Sequence, residues 1–90
     1  MSTVTVYVTS ICGYCVRAKR LLSSKDVSFE EVSLDGDWEA RQALVQRTGQ
    51  RTIPQIFVGE TYVGGSDELH ALNRSGELDA LLDREGIPHG

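Results

Sequence analysis

A β-forming run followed at once by two cysteines and a helix-forming run constrains this chain more than anything else in it. Thr3-Val4-Thr5-Val6-Tyr7-Val8 is rich in β-branched and aromatic residues and reads as a first strand, buried in the middle of a sheet. Thr9-Ser10-Ile11 leaves room only for a short loop before Cys12-Gly13-Tyr14-Cys15. From Tyr14 to about Ser24, apolar Val16, Ala18, Leu21 and Leu22 interleave with basic residues at helical spacing, so one face suits a sheet and the other water. Cys12 is therefore expected at or just before a helix N-terminus, with Cys15 in the first turn. The unpaired N–H groups and aligned peptide dipoles of a helix start favour a thiolate over a thiol. A Cys-x-x-Cys pair beside a strand–helix unit reads as a redox dithiol.

The remainder of the chain completes a small α/β fold. Lys25-Asp26-Val27 is a turn, and Ser28 to Leu34 carries Phe29, Val32 and Leu34 as a second strand, parallel to the first by a right-handed crossover. Asp37 caps a helix running from Trp38 to Thr48 and closed by Gly49, with Ala40, Leu44 and Val45 as its apolar residues and Trp38 as a packing or capping hydrophobe. Gln55 to Val58 and Thr61 to Val63, joined by Gly59-Glu60, form a β-hairpin. Gly64-Gly65 breaks the last strand, and Ser66 or Asp67 caps a short helix from Glu68 to Asn73. After an interruption at Asn73-Arg74-Ser75-Gly76, Glu77 to Arg84 is amphipathic through Leu78, Leu81 and Leu82, and the end of the chain reads as a loose tail. The order β-α-β-α-β-β-α-α implies a four-stranded mixed sheet with helices on both faces. Ninety residues suit a single domain, 1–90, with an ordered core of about 3–84 and a tail of 85–90.

Composition narrows the functional classes. The net charge is −4 and the basic residues are dispersed, apart from Arg17, Lys19 and Arg20, so nucleic acid is not an expected partner. No apolar run approaches the roughly 18 residues of a membrane span, and Met1-Ser2-Thr3 opens no secretory leader, so a cytoplasmic setting is expected. Reducing compartments keep disulfides open, and closing a loop of two intervening residues removes little chain entropy, so the cysteines are not a structural staple. His70 and His89 do not combine with them at compact zinc-finger spacing.

Three motifs in register then carry a resemblance. Cys12-Gly13-Tyr14-Cys15, Thr52-Ile53-Pro54 before a strand, and Gly64-Gly65-Ser66-Asp67 before a helix resemble, in order and separation, the dithiol glutaredoxins of bacterial type within the thioredoxin superfamily. The likeness runs from Val4 to about Leu82. Taken singly, Pro54 reads as an ordinary proline at a strand start and Gly64-Gly65 as a turn. The resemblance implies a thioredoxin-like fold, Cys12 as nucleophile, Cys15 as resolving thiol and Pro54 as a cis proline opposite them. It implies a glutathione groove in which the Ile53 backbone pairs with the tripeptide, Tyr14 and Thr52 form walls, and Gly65, Ser66 and Asp67 hold the γ-glutamyl end. Arg41, Gln50 and Arg51 are its candidates for the glycyl carboxylate. Implied partners are glutathione, glutathionylated or disulfide-containing proteins and, indirectly, glutathione reductase, with the protein acting as a monomer.

Two departures from the family pattern stand out. Gly13 occupies the usual position of a proline, giving the turn more backbone freedom and an additional N–H. Thr9 occupies the usual position of a lysine, which removes one charge that would favour a thiolate, with Arg17, Lys19 or Arg51 as partial substitutes. Two alternatives remain open at this level. One is a [2Fe–2S] module, in which Cys12 from each of two subunits and two glutathione sulfurs hold the cluster. The other is a thioredoxin-like general disulfide reductase, although Ile11 and Gly13-Tyr14 differ from the Trp and Gly-Pro of that family.

Overall fold

The computed structural model describes residues 3–90; Met1 and Ser2, where no leader is expected to open, lie outside them. The strands are β1 (Val4–Val8), β2 (Phe29–Ser33), β3 (Gln55–Val58) and β4 (Thr61–Gly64). The helices are α1 (Gly13–Ser24), α2 (Trp38–Thr48), α3 (Ser66–Ser75) and α4 (Glu77–Arg84). One mixed sheet has the order β2-β1-β3-β4, with β1 parallel to β2 and antiparallel to β3, and β3 antiparallel to β4. The expected element order and the mixed sheet are both present.

Side-chain alternation along the strands sorts the helices onto the two faces. Val4, Val6 and Val8 of β1, with Ile56 and Val58 of β3, point into the larger core, where Ala18 and Leu22 of α1, Leu69 of α3 and Leu78, Leu81 and Leu82 of α4 meet them. Phe57 points the opposite way. With Leu34 and Leu44 it forms a smaller core under α2, against which Tyr7 and Tyr62 pack. Arg47 of α2 lies over the Phe57 ring, 4.3 Å from its centroid, and covers this core from outside.

Several expectations need correction. Val16 is on the solvent side of α1, where its place on the sheet-facing stripe is taken by Cys15. Trp38 is 70% exposed and packs into neither core. Helix α3 starts at Ser66 rather than Glu68 and continues to Ser75, because the Glu68 carboxylate reaches back to accept the Gly65 N–H at 2.9 Å and serves the helix start. Gly76, at φ 83°, makes the left-handed turn between α3 and α4. The segment expected to be a loose tail is docked. Ile87 is buried in the larger core, His89 Nε2 lies 2.7 Å from Asp83 Oδ1, and the Gly90 N–H donates to the Lys25 carbonyl. Lys25 also pairs with Asp79 of α4 at 2.7 Å, and its hydrogen bond holds the Asp79 carboxyl below its ordinary range.

Candidate active site

The end of β1 delivers the chain to the N-terminus of α1, and the loop between them is held from the side. The Ser10 N–H donates to both carboxylate oxygens of Asp35, at 3.2 and 3.0 Å. Cys12 follows in extended conformation as the N-cap of α1, and its Sγ accepts the Cys15 N–H at 3.2 Å, where a capping serine oxygen would sit. The same sulfur lies 3.7 Å from the Ile53 carbonyl, to which its thiol form donates. Both cysteines are free.

The two thiols occupy different environments. Cys12 is partly exposed, whereas Cys15 is 2% exposed and packed into the larger core. Burial pushes the Cys15 thiol up to about 11, and its hydrogen bond with Cys12 adds to the effect, while a backbone bond with Thr9 and the charge of Lys19 oppose it. This raised value has a consequence for stability. Above its ordinary value of 9.0 the unfolded chain releases the Cys15 proton while the folded chain retains it, so the contribution is complete below that pH and is lost as pH rises to about 11. The reduced protein is therefore expected to lose on the order of 2 kcal/mol across this window relative to Cys15→Ser. Denaturant unfolding of both proteins under reducing conditions checks it; parallel pH curves would refute it.

Beside Cys12 lies a groove of about 440 Å³ lined by Tyr14, Thr52, Ile53, Pro54, Gly65, Ser66, Asp67 and Glu68. The Ile53–Pro54 peptide is cis. The loop that carries Thr52 to Pro54 is anchored from beneath by buried Gln55, whose Nε2 donates to the Gln50 carbonyl at 2.7 Å and whose Oε1 accepts the Thr48 hydroxyl at 2.8 Å. On the opposite wall α3 begins at the groove. Its Ser66 is buried, and its Asp67 is exposed. Glycine is required at position 64, where φ is 117° and a Cβ would stand 3.0 Å from Glu68 Cγ, whereas a Cβ at position 65 would meet the Pro54 carbonyl oxygen at 3.4 Å, an ordinary contact. The Gly13 Cβ position, by contrast, faces open space.

The sequence motifs thus converge from three separated segments, but not every candidate joins them. Arg41 and Arg51 line a neighbouring depression of about 220 Å³ with Trp38, Gln42 and Val45, and Gln50 lines neither. Glu68 was not singled out as a site residue, yet it both lines the groove and holds the Gly65 N–H; its place three residues beyond Gly65 is the capping-box spacing that would reveal it. His70 Nδ1 sits 2.7 Å from the Ser66 carbonyl, one turn below the groove. A further depression, about 610 Å³ between β4, α3 and α4, touches neither cysteine. Among the described residues, no group of three or more His, Cys, Asp or Glu is arranged to hold a metal ion, and no helix is long and apolar enough to cross a membrane.

The family model for glutaredoxin matches residues 4–63. The chain belongs to the glutaredoxin family. A Pseudomonas aeruginosa glutaredoxin is 54% identical over 82 residues, covering 91% of this chain and 98% of that one. Glutaredoxin 3 of Escherichia coli K12 is 48% identical over 82 residues, covering 91% and 99%. Among solved structures, a buckwheat glutaredoxin–glutathione complex superposes with a TM-score of 0.87 at 33% identity, covering 94% of this chain and 80% of that one. A glutaredoxin from Brucella melitensis gives 0.81 at 44% identity, covering 91% and 89%. This glutaredoxin has the thioredoxin-like fold and is a thiol–disulfide oxidoreductase with Cys12 and Cys15 as its Cys-x-x-Cys pair.

Proposed function

We propose that the protein uses glutathione to reduce protein–glutathione mixed disulfides and protein disulfides, with Cys12 as nucleophile. The observation that carries this reading is the groove that opens beside the one accessible sulfur, bounded by the Ile53–Pro54 backbone on one side and the start of α3 on the other. A tripeptide offers backbone groups to Ile53. Its γ-glutamyl carboxylate suits the N–H groups of a helix start together with Ser66, and its ammonium suits Asp67. Arg41 and Arg51, in the adjoining depression, are the cations for the glycyl carboxylate, with Gln50 a further candidate from the same loop.

In the first step the Cys12 thiolate attacks the glutathione sulfur. A Cys12–glutathione disulfide forms, the substrate's S–S bond breaks, and the substrate sulfur leaves as a thiolate that takes a proton from solvent. A second glutathione thiolate then attacks the glutathione sulfur of this adduct, giving glutathione disulfide and restoring Cys12. In the dithiol route Cys15 gives up its proton and attacks Cys12 Sγ, expelling glutathione and forming Cys12–Cys15, which two glutathiones reduce in turn. The raised Cys15 value suits this order of events: Cys15 stays a thiol until an electrophilic disulfide stands beside it.

The iron–sulfur reading draws less support. In that reading Cys12 alone of this chain would serve and buried Cys15 would have no part, whereas thiol exchange employs both. A monomer in a reducing, cytoplasmic setting fits this chemistry, with glutathione reductase restoring the glutathione pool. Reduction of a small glutathione mixed disulfide is expected to require glutathione, with its disulfide product recycled by glutathione reductase and NADPH. Turnover driven by thioredoxin reductase without glutathione would overturn the proposal in favour of a general disulfide reductase.

A further inference from the structure

Three large apolar side chains flank Cys12 in the sequence; Tyr14 stands at the border of the groove, and Ile11 and Val16 lie outside its lining. Ile11 is 95% exposed, Tyr14 56% and Val16 43%, so among the described residues three of the four exposed large hydrophobic side chains fall within six consecutive residues around the nucleophile. Their backbone positions are fixed by the helix start: Ile11 precedes the N-cap residue, and Tyr14 and Val16 lie in the first turn of α1, whose Val16 N–H donates to the Cys12 carbonyl at 3.3 Å. Beyond them on the same helix stand exposed Arg17 and Arg20, neither of which forms an ion pair among the described residues. Arg17 instead lies 5.9 Å from the Tyr14 ring centroid.

We infer that this collar of Ile11, Tyr14 and Val16, edged by Arg17 and Arg20, docks the polypeptide around the substrate's cysteine and favours apolar neighbours with an acidic residue farther out. The inference rests on the proposed reaction. When Cys12 attacks the glutathione sulfur, the leaving sulfur stands about 4 Å beyond Cys12 Sγ, two disulfide lengths in line. With glutathione along the groove, the polypeptide bearing the leaving sulfur is left to the surface outside it, where Val16 lines a separate depression together with Cys12 and Ile11 is the residue next to Cys12 in the chain. Removing the exposed surface of Ile11 and Val16 from water is favourable only when the partner is apolar there. The unpaired guanidinium groups at the edge supply charge complementarity for a carboxylate and none for a basic flank.

The test compares glutathionylated peptides with an apolar–Cys–apolar core and either an acidic or a basic outer residue, a peptide with a polar core, and a small glutathione mixed disulfide. The parent is expected to favour the apolar–acidic peptide over the polar-core peptide by about tenfold in kcat/KM, and Ile11→Ser with Val16→Ser to remove that preference. Both proteins should turn over the small mixed disulfide at equal rates. Equal kcat/KM for all peptides with the parent, or an undiminished preference in the double variant, would overturn the docking surface. Failure of the parent on the small mixed disulfide would instead overturn the proposed reaction, so the two failures are distinguishable. Arg17→Glu with Arg20→Glu should reverse the acidic preference; an unchanged preference would refute the charged edge.

Discussion

Replacing Cys12 by serine is expected to lower the reduction of a glutathione mixed disulfide to the uncatalysed rate, a fall on the order of 10³-fold or more. Cys15→Ser should retain that reaction while losing reduction of intramolecular protein disulfides. The asymmetry follows from where the two sulfurs sit. Cys12 is the N-cap, partly exposed beside the groove, with the Cys15 N–H directed at its Sγ. Cys15 is enclosed between α1 and the sheet and held as a thiol up to about 11, so it has neither the access nor the charge to replace a missing Cys12. Intact-mass measurement of Cys15→Ser after exposure to glutathione disulfide should show one glutathionyl adduct, located at Cys12. Turnover surviving in Cys12→Ser would transfer the nucleophile's role to another group.

Much of this arrangement was legible from residue order, and the reason differs from one part to the next. The strand–loop–helix placement of Cys12 and Cys15 could be read because β1 alternates strictly and a short loop leaves little freedom in where the helix begins. Thr52-Ile53-Pro54 and Gly64-Gly65-Ser66-Asp67 could be assigned to one site only through resemblance, since nothing local in either segment announces that β3 and α3 bring them to the same groove. Properties decided by tertiary contacts were misread. Val16 has helical spacing from the buried positions, yet Cys15 takes the sheet-facing place and rotates Val16 into water. Trp38 invites a packing role by its size, but the space under α2 is already filled by Leu34, Leu44 and Phe57. The C-terminal residues look like a tail because Gly86 and Pro88 punctuate them, while Ile87 between these two is what fixes the segment to the core.

Asp67→Ala is expected to reduce kcat/KM for a glutathione mixed disulfide by about ten- to thirty-fold, chiefly through KM, if Asp67 holds the substrate's ammonium group. The side chain is exposed at the first turn of α3, on the wall of the groove opposite Ile53–Pro54. That position raises a competing explanation. An acidic residue in a first turn also stabilises its helix, so its loss could loosen the groove without touching the ligand. The helix start has an independent support, because Glu68 rather than Asp67 accepts the Gly65 N–H. Unfolding of the variant should therefore shift by no more than about 1 kcal/mol. Alkylation of Cys12 by a small neutral reagent should proceed at the parent rate, since no bond to either cysteine is removed. The deciding comparison uses a mixed disulfide of cysteinylglycine, which lacks the γ-glutamyl group. The parent should reduce it more slowly than the glutathione compound, and Asp67→Ala should leave that slower rate nearly unchanged. Loss of the γ-glutamyl group and loss of Asp67 would then be non-additive, as two halves of one contact must be. An equal fall on both substrates would instead make Asp67 a support of the helix and return the ammonium to solvent.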